Sequence, residues 1–170
     1  MRRPDLAAIL ALRELDPTVP DPFEKSAEAA SGKLRRTCGG LPFVLENGKG
    51  STRSGVDKDG KAWSCMMAVD YGFIAGTLGE DGDEVDAFVA DDCTADSTLP
   101  VYVIDQKRVD TGAHDEQKLM IGFASEAEAR KAYLDSYEEG WDGIEAIREL
   151  PIEDVVAKVE KANGRTKLKF

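Results

Sequence analysis

Three carboxylates crowd one short turn of this sequence. Asp81, Asp83 and Asp86 stand within the run GEDGDEVD, and Gly82 lets the chain fold tightly enough to bring them together. Like charges at that spacing repel unless protons or cations neutralise them. Hard divalent cations, magnesium among them, favour such all-oxygen donors. An EF-hand loop is excluded, because there the glycine comes sixth, after acids at alternate positions. On their own the three residues would also fit a plain solvated turn, so the surroundings must decide.

The elements that would position this turn follow from hydrophobic periodicity. Short strands broken by glycine and aspartate are expected near 41–46, 61–68, 71–74, 85–90, 100–106 and 117–123. Asp57-Lys58-Asp59-Gly60 reads as a turn, forming a hairpin between the first two of these. Ser125 and Glu128 make a capping box for a helix to about residue 137, with Ala129, Ala132 and Tyr133 as its apolar stripe. Pro151 opens a last helix that Asn163-Gly164 stops near residue 162. Many short strands followed by two helices predict an α+β domain, a small closed OB-like β-barrel with two flanking helices. Upstream, residues 4–15 read as an amphipathic helix carrying Leu6, Ile9, Leu10 and Leu12. A proline-containing linker follows, so residues 1–33 are set apart from a domain over 34–170.

Composition removes several function classes. A formal net charge of −11 leaves no basic footprint for nucleic acid. A single histidine, His114, rules out a His-rich metal site. Three cysteines without a CxxC pair argue against a disulfide framework or a thiolate zinc site and point to a reducing, cytoplasmic setting. No apolar run approaches the ~20 residues needed to span a membrane.

The wider run YGFIAGTLGEDGDEVDAFV resembles the signature of the soluble (family I) inorganic pyrophosphatases. The likeness extends more weakly over residues 41–141. It implies the pyrophosphatase barrel and hydrolysis of pyrophosphate or a related phosphoanhydride by a water that two Mg2+ ions (or Mn2+) activate. By this resemblance Asp81 and Asp86 are metal ligands and Asp83 deprotonates the attacking water, with Tyr71 beside it. Downstream, Asp110 and Asp115 have the family's separation, but Lys118 is correctly spaced from Glu116 instead. One of Asp115 or Glu116 is therefore implied as a ligand, with Asp110 and Glu46 completing the acidic set. Lys118, Arg53 (a two-pronged substitute for the family's lysine) and Tyr137 are implied to contact phosphate.

The sequence also departs from the pattern. Gly55 stands where the family usually has a second glutamate. An arginine expected within 61–67 is missing unless Lys61 replaces it. Glu138 occupies the place of a lysine. The compact loops and the run GFASEAEARKAYLDSYEEGWDGIEAI look more like the pyrophosphatase-like domains of phage-encoded proteins. That likeness implies an alternative, a non-catalytic or repurposed phage protein whose helix 4–15 joins a virion or another partner. The family is commonly oligomeric, so homo-oligomers are also implied.

Overall fold

The computed structural model describes residues 32–57 and 59–170. The helix expected at 4–15 and its linker as far as residue 31 lie outside the described residues. Among the described residues nine strands and two helices follow in order: β1 (Arg35–Cys38), β2 (Leu41–Asn47), β3 (Thr52–Val56), β4 (Ala62–Met66), β5 (Asp70–Ile74), β6 (Asp86–Val89), β7 (Val101–Lys107), β8 (His114–Ile121), α1 (Glu126–Asp135), β9 (Ile144–Leu150) and α2 (Ile152–Ala162).

Seven strands form one sheet in the order β1-β2-β5-β6-β8-β7-β9, and β3 and β4 form a separate hairpin. The pairings are antiparallel except β6 with β8. The expected barrel is not closed: β1 and β9 are the two edges, and no pairing joins them among the described residues. The packing supplies the reason. The central strands are apolar on both sides, as in Asp-Ala-Phe-Val of β6, and successive residues point to opposite faces. Ala87 and Val89 join a core completed by Ile152, Val155 and Val159 of α2. Phe88 joins a second core completed by Ala129, Ala132 and Tyr133 of α1. A sheet with a helix on each face can bury both without curling shut.

Local chemistry explains the helix ends. The Ser125 side chain accepts from the Glu128 amide, and Glu128 Oε2 in turn accepts from the Ala124 amide (3.1 Å), a capping box shifted by one donor. Pro151 precedes α2, and Asn163, at φ 49°, ends it in the left-handed conformation. The turn at Asp57 does make a hairpin, but its partners are β3 and β4 rather than β2 and β4. Three strands absent from the sequence reading are β1, β3 and β9. No described helix is long and apolar enough to cross a membrane.

The cysteine reading is corrected as well. Cys38 at the end of β1 and Cys93 after β6 form a disulfide (Cα–Cα 5.7 Å), and Cys65 is the buried free thiol. An odd count conceals a pair when two residues distant in sequence are brought together. Here the β1–β2 turn donates backbone hydrogen bonds from Gly39 and Gly40 to the Thr94 and Ala95 carbonyls, which sets Cys93 against Cys38.

Candidate active site

The alternation that sorts the two cores also carries polar side chains to the α1 face. Asp86 precedes Phe88 by two residues, Lys118 precedes Met120 by two, and Gln106 follows Ile104 by two. Lys118 is only 1% exposed, yet its ammonium lies 2.5 Å from Asp86 Oδ2 and 2.9 Å from Glu116 Oε1. Burial alone would lower its pKa, but the surrounding Tyr137, Asp86, Tyr71 and Glu116 oxygens outweigh it and hold the pKa well above the usual value. Lys118 therefore stays charged. Tyr71 donates its hydroxyl to the same Asp86 oxygen at 2.6 Å. Burial pushes its pKa up despite Lys118 and Arg53, so Tyr71 remains a phenol and a donor. For Glu116 burial raises the pKa and the neighbouring Lys118 only partly offsets it.

Arg53 arrives from the hairpin. Its Nη2 donates to the Tyr71 hydroxyl (3.1 Å), and its guanidinium lies 4.3 Å from the Tyr71 ring centroid and 5.3 Å from that of Trp63. Such placements add cation–π attraction to the hydrogen bond. Trp63 also accounts for Gly55, its cross-strand partner. A Cβ on Gly55 would come within 2.6 Å of the Trp63 ring, so the indole occupies the space a glutamate there would need.

A buried amide that the sequence reading did not single out joins these residues to α1. Gln106 Oε1 accepts from the hydroxyls of Tyr133 (2.6 Å) and Tyr137 (3.1 Å). Its Nε2 donates to Asp115 Oδ2 (2.9 Å) and Glu116 Oε1 (3.4 Å). Tyr137 stacks on Trp141 with centroids 4.6 Å apart, and Trp141 donates to the Tyr133 hydroxyl at 3.3 Å. No spacing rule could have found Gln106. A lone glutamine in an apolar strand carries a signal only once its partners are known.

The acidic loop lies at the rim. Its shape is set by the backbone: the Asp83 amide donates to Asp81 Oδ1 (3.0 Å), Gly79 donates to the Asp83 carbonyl (2.6 Å), and Gly82 has φ 95°. Lys167 Nζ donates to the Glu80 carbonyl (2.7 Å) and the Leu168 amide to the Leu78 carbonyl (2.8 Å), strapping the loop from outside. Asp81, Glu84, Asp86 and Glu116 line one cleft below it, closed on one side by Leu168 and Phe170. Among the described residues no three metal-ligating side chains converge into a ready-made cluster.

Seven of the expected site residues thus belong to one connected network: Arg53, Tyr71, Asp86, Asp115, Glu116, Lys118 and Tyr137. Asp81 faces the same cleft as Asp86 and Glu116, and Asp83 stands exposed on the loop above it. Two residues are engaged elsewhere. Asp110 pairs with Arg108 in the β7–β8 turn (2.7 Å), which holds its pKa down to about 2. Glu46 pairs with Lys33 (2.6 Å). Lys61 and Glu138 are both exposed.

The sequence model of the inorganic pyrophosphatase family matches residues 24–160 of this chain. The chain belongs to the inorganic pyrophosphatase family. No curated protein matches it. Solved inorganic pyrophosphatases do. That of Helicobacter pylori is 22% identical, with 71% of this chain and 91% of that one covered and a TM-score of 0.40. That of Neisseria gonorrhoeae is 17% identical, with 75% and 91% covered and a TM-score of 0.42. That of Coxiella burnetii is 16% identical, with 71% and 90% covered and a TM-score of 0.38.

Proposed function

We propose that this pyrophosphatase-family chain hydrolyses inorganic pyrophosphate or a related phosphoanhydride with the help of Mg2+ or Mn2+. The observation that carries the reading is the family match over residues 24–160, which takes in every residue of the network around Asp86. The donors fit a hard divalent cation. Asp81, Asp86 and Glu116 offer only oxygen and share one cleft, and Lys118 already satisfies two of them as an internal cation. Bound there, the metal would acidify a water and neutralise charge on the phosphoanhydride.

The chain's own residues divide the remaining work. Asp81, Asp86 and Glu116 hold the cation, and Asp83 accepts the proton of the attacking water. Arg53 and Lys118 supply fixed positive charge for the phosphate oxygens, while Tyr137 gives its hydroxyl proton to Gln106 Oε1. Tyr71 keeps Asp86 oriented through the 2.6 Å bond. Charge compensation and positioning are the main demands of phosphoryl transfer, and this arrangement supplies both. With Arg108 and Lys33 holding Asp110 and Glu46, those two carboxylates are left outside the proposed ligand set. The second reading, a family member without catalysis, draws on Trp63 filling the place of the second glutamate. Phosphate release from pyrophosphate with Mg2+, compared between the wild type and Asp83→Asn, separates the two. A wild type no faster than the variant would sink the enzymatic reading.

A further inference from the structure

We infer that Gln106 is a positioning residue that sorts the two adjacent carboxylates Asp115 and Glu116, so that Glu116 is the one offered to the cation. The inference rests on the cation site proposed above.

Gln106 is 5% exposed and uses its full hydrogen-bonding capacity: two hydroxyls donate to Oε1, and Nε2 donates to two carboxylates. The two carboxyl groups select this orientation of the amide. Turned over, it would set its carbonyl oxygen against the carboxyl oxygens of Asp115 and Glu116 in place of the two N–H bonds. Tyr133 on α1, and Tyr137 just beyond it in its stack on Trp141, meet the Oε1 end and hold the amide in place.

That group treats the two acids unequally. Gln106 lies directly across the ladder from Glu116, and the register slips between Gln106 and Lys107, which leaves Asp115 in the irregular stretch. The bond to Asp115 is the shorter, 2.9 Å against 3.4 Å. Asp115 is thus tied back to the strand. Glu116 makes only the long contact, receives Lys118 on one oxygen, and lines the cleft with Asp81 and Asp86. Two neighbouring acids of similar chemistry are in this way given different duties by one neutral side chain, and the aromatic wall reaches the cation site through it.

The test is Mn2+ binding to the full chain without substrate, measured by calorimetry, with melting temperatures recorded in parallel. Gln106→Met keeps size and removes all four bonds. Affinity should fall about tenfold, the scale of a lost hydrogen bond to a charged group. Tyr133→Phe touches no carboxylate yet removes the shortest bond to Oε1, and should weaken Mn2+ about threefold. The double variant should be no worse than Gln106→Met alone, because both act through one amide. Glu116→Gln should cost at least tenfold more than Asp115→Asn. Should Gln106→Met bind Mn2+ within twofold of wild type while melting lower, Gln106 is merely structural and the inference is overturned. Additive losses, or equal losses from the two acids, overturn it too. Tyr133→Phe serves if Gln106→Met does not fold. A wild type that binds no divalent cation removes the proposed site and the inference with it, an outcome distinct from all of these.

Discussion

Two neighbouring rungs of the β7–β8 ladder, Asp105–Gln117 and Gln106–Glu116, carry the same residue types to opposite faces of the sheet. On the α2 face the acid and amide close on themselves. Gln117 Nε2 donates to Asp105 Oδ1 (2.6 Å), Arg148 grips Asp105 with two bonds, and both Gln117 and Arg148 donate to the Phe170 carbonyl. Gln117 and Phe170 form part of the cleft wall, but their polar atoms are bonded to each other. On the α1 face the amide is anchored by tyrosines, and the acid beside it opens onto a cleft with other carboxylates. Residue type does not separate structure from chemistry here. What separates them is whether the acid is bonded on all sides by internal partners, as Asp105 is, or lines the cleft, as Glu116 does.

This contrast can be broken at four points. The largest effect belongs to Lys118→Met. It leaves Asp86 and Glu116 beside each other without their buried cation, and loss of one partner of a buried pair costs about 3–5 kcal/mol. Urea unfolding should show that loss, with millimolar Mg2+ restoring more of it in the variant than in the wild type. A variant as stable as wild type would mean that the α1-face charges are not coupled. Next comes Asp83→Asn, expected to lower turnover at least ~100-fold, the low end for general base catalysis. Its unfolding midpoint should barely move, because Asp83 is an exposed loop residue.

Gly55→Glu restores the family's residue but drives a side chain into the Trp63 ring. Overpacking of this kind costs about 1–3 kcal/mol. Displacing the indole from Arg53 should also raise KM for pyrophosphate, with a shift in tryptophan emission as the direct sign. An unshifted spectrum would show that the hairpin accommodates the change. The smallest effect is reserved for the α2 face. Burial would raise the pKa of Asp105, but hydrogen bonds from Arg148 and Gln117 prevail and hold it below the usual value. A depressed pKa contributes stability above the unfolded value of about 3.9, and that stability is lost as pH falls through the folded value. Asp105→Asn should therefore flatten the stability profile below about pH 4, measured by thermal melts, and leave kcat alone. A changed kcat would show that the two rungs are not separate.

The sequence made parts of this legible and hid others for definite reasons. Asp81, Asp83 and Asp86 were visible because a motif keeps its chemistry within a few residues. The central strands were visible because burial on both faces makes them continuous apolar runs. β3 was not, since Thr-Arg-Ser-Gly-Val has neither an apolar run nor clean alternation, and its pattern matters only once Trp63 lies across Gly55. β9 is an edge strand with charges on Glu145, Arg148 and Glu149, and its alternation is diluted accordingly. Whether Asp115 or Glu116 faces the cleft depends on a ladder irregularity and one buried amide, neither of which any spacing records. The open sheet was likewise out of reach, because strand count does not say whether two edges meet.

The disulfide has a consequence for the covalent topology of the site. The bond joins Cys38 to Cys93, 55 positions apart in sequence, and closes a ring that contains Arg53, Tyr71, Asp81, Asp83 and Asp86. Gln106, Glu116, Lys118 and Tyr137 lie on the linear remainder. The hairpin turn at the far side of the ring is exposed, and Lys61 beside it offers trypsin a place to cut. A ring opened once is still a single molecule. A chain nicked after Lys61 would run as one species on a gel until a reductant was added, and would then separate into two pieces, with Arg53 on one and Tyr71, Asp86 and Lys118 on the other.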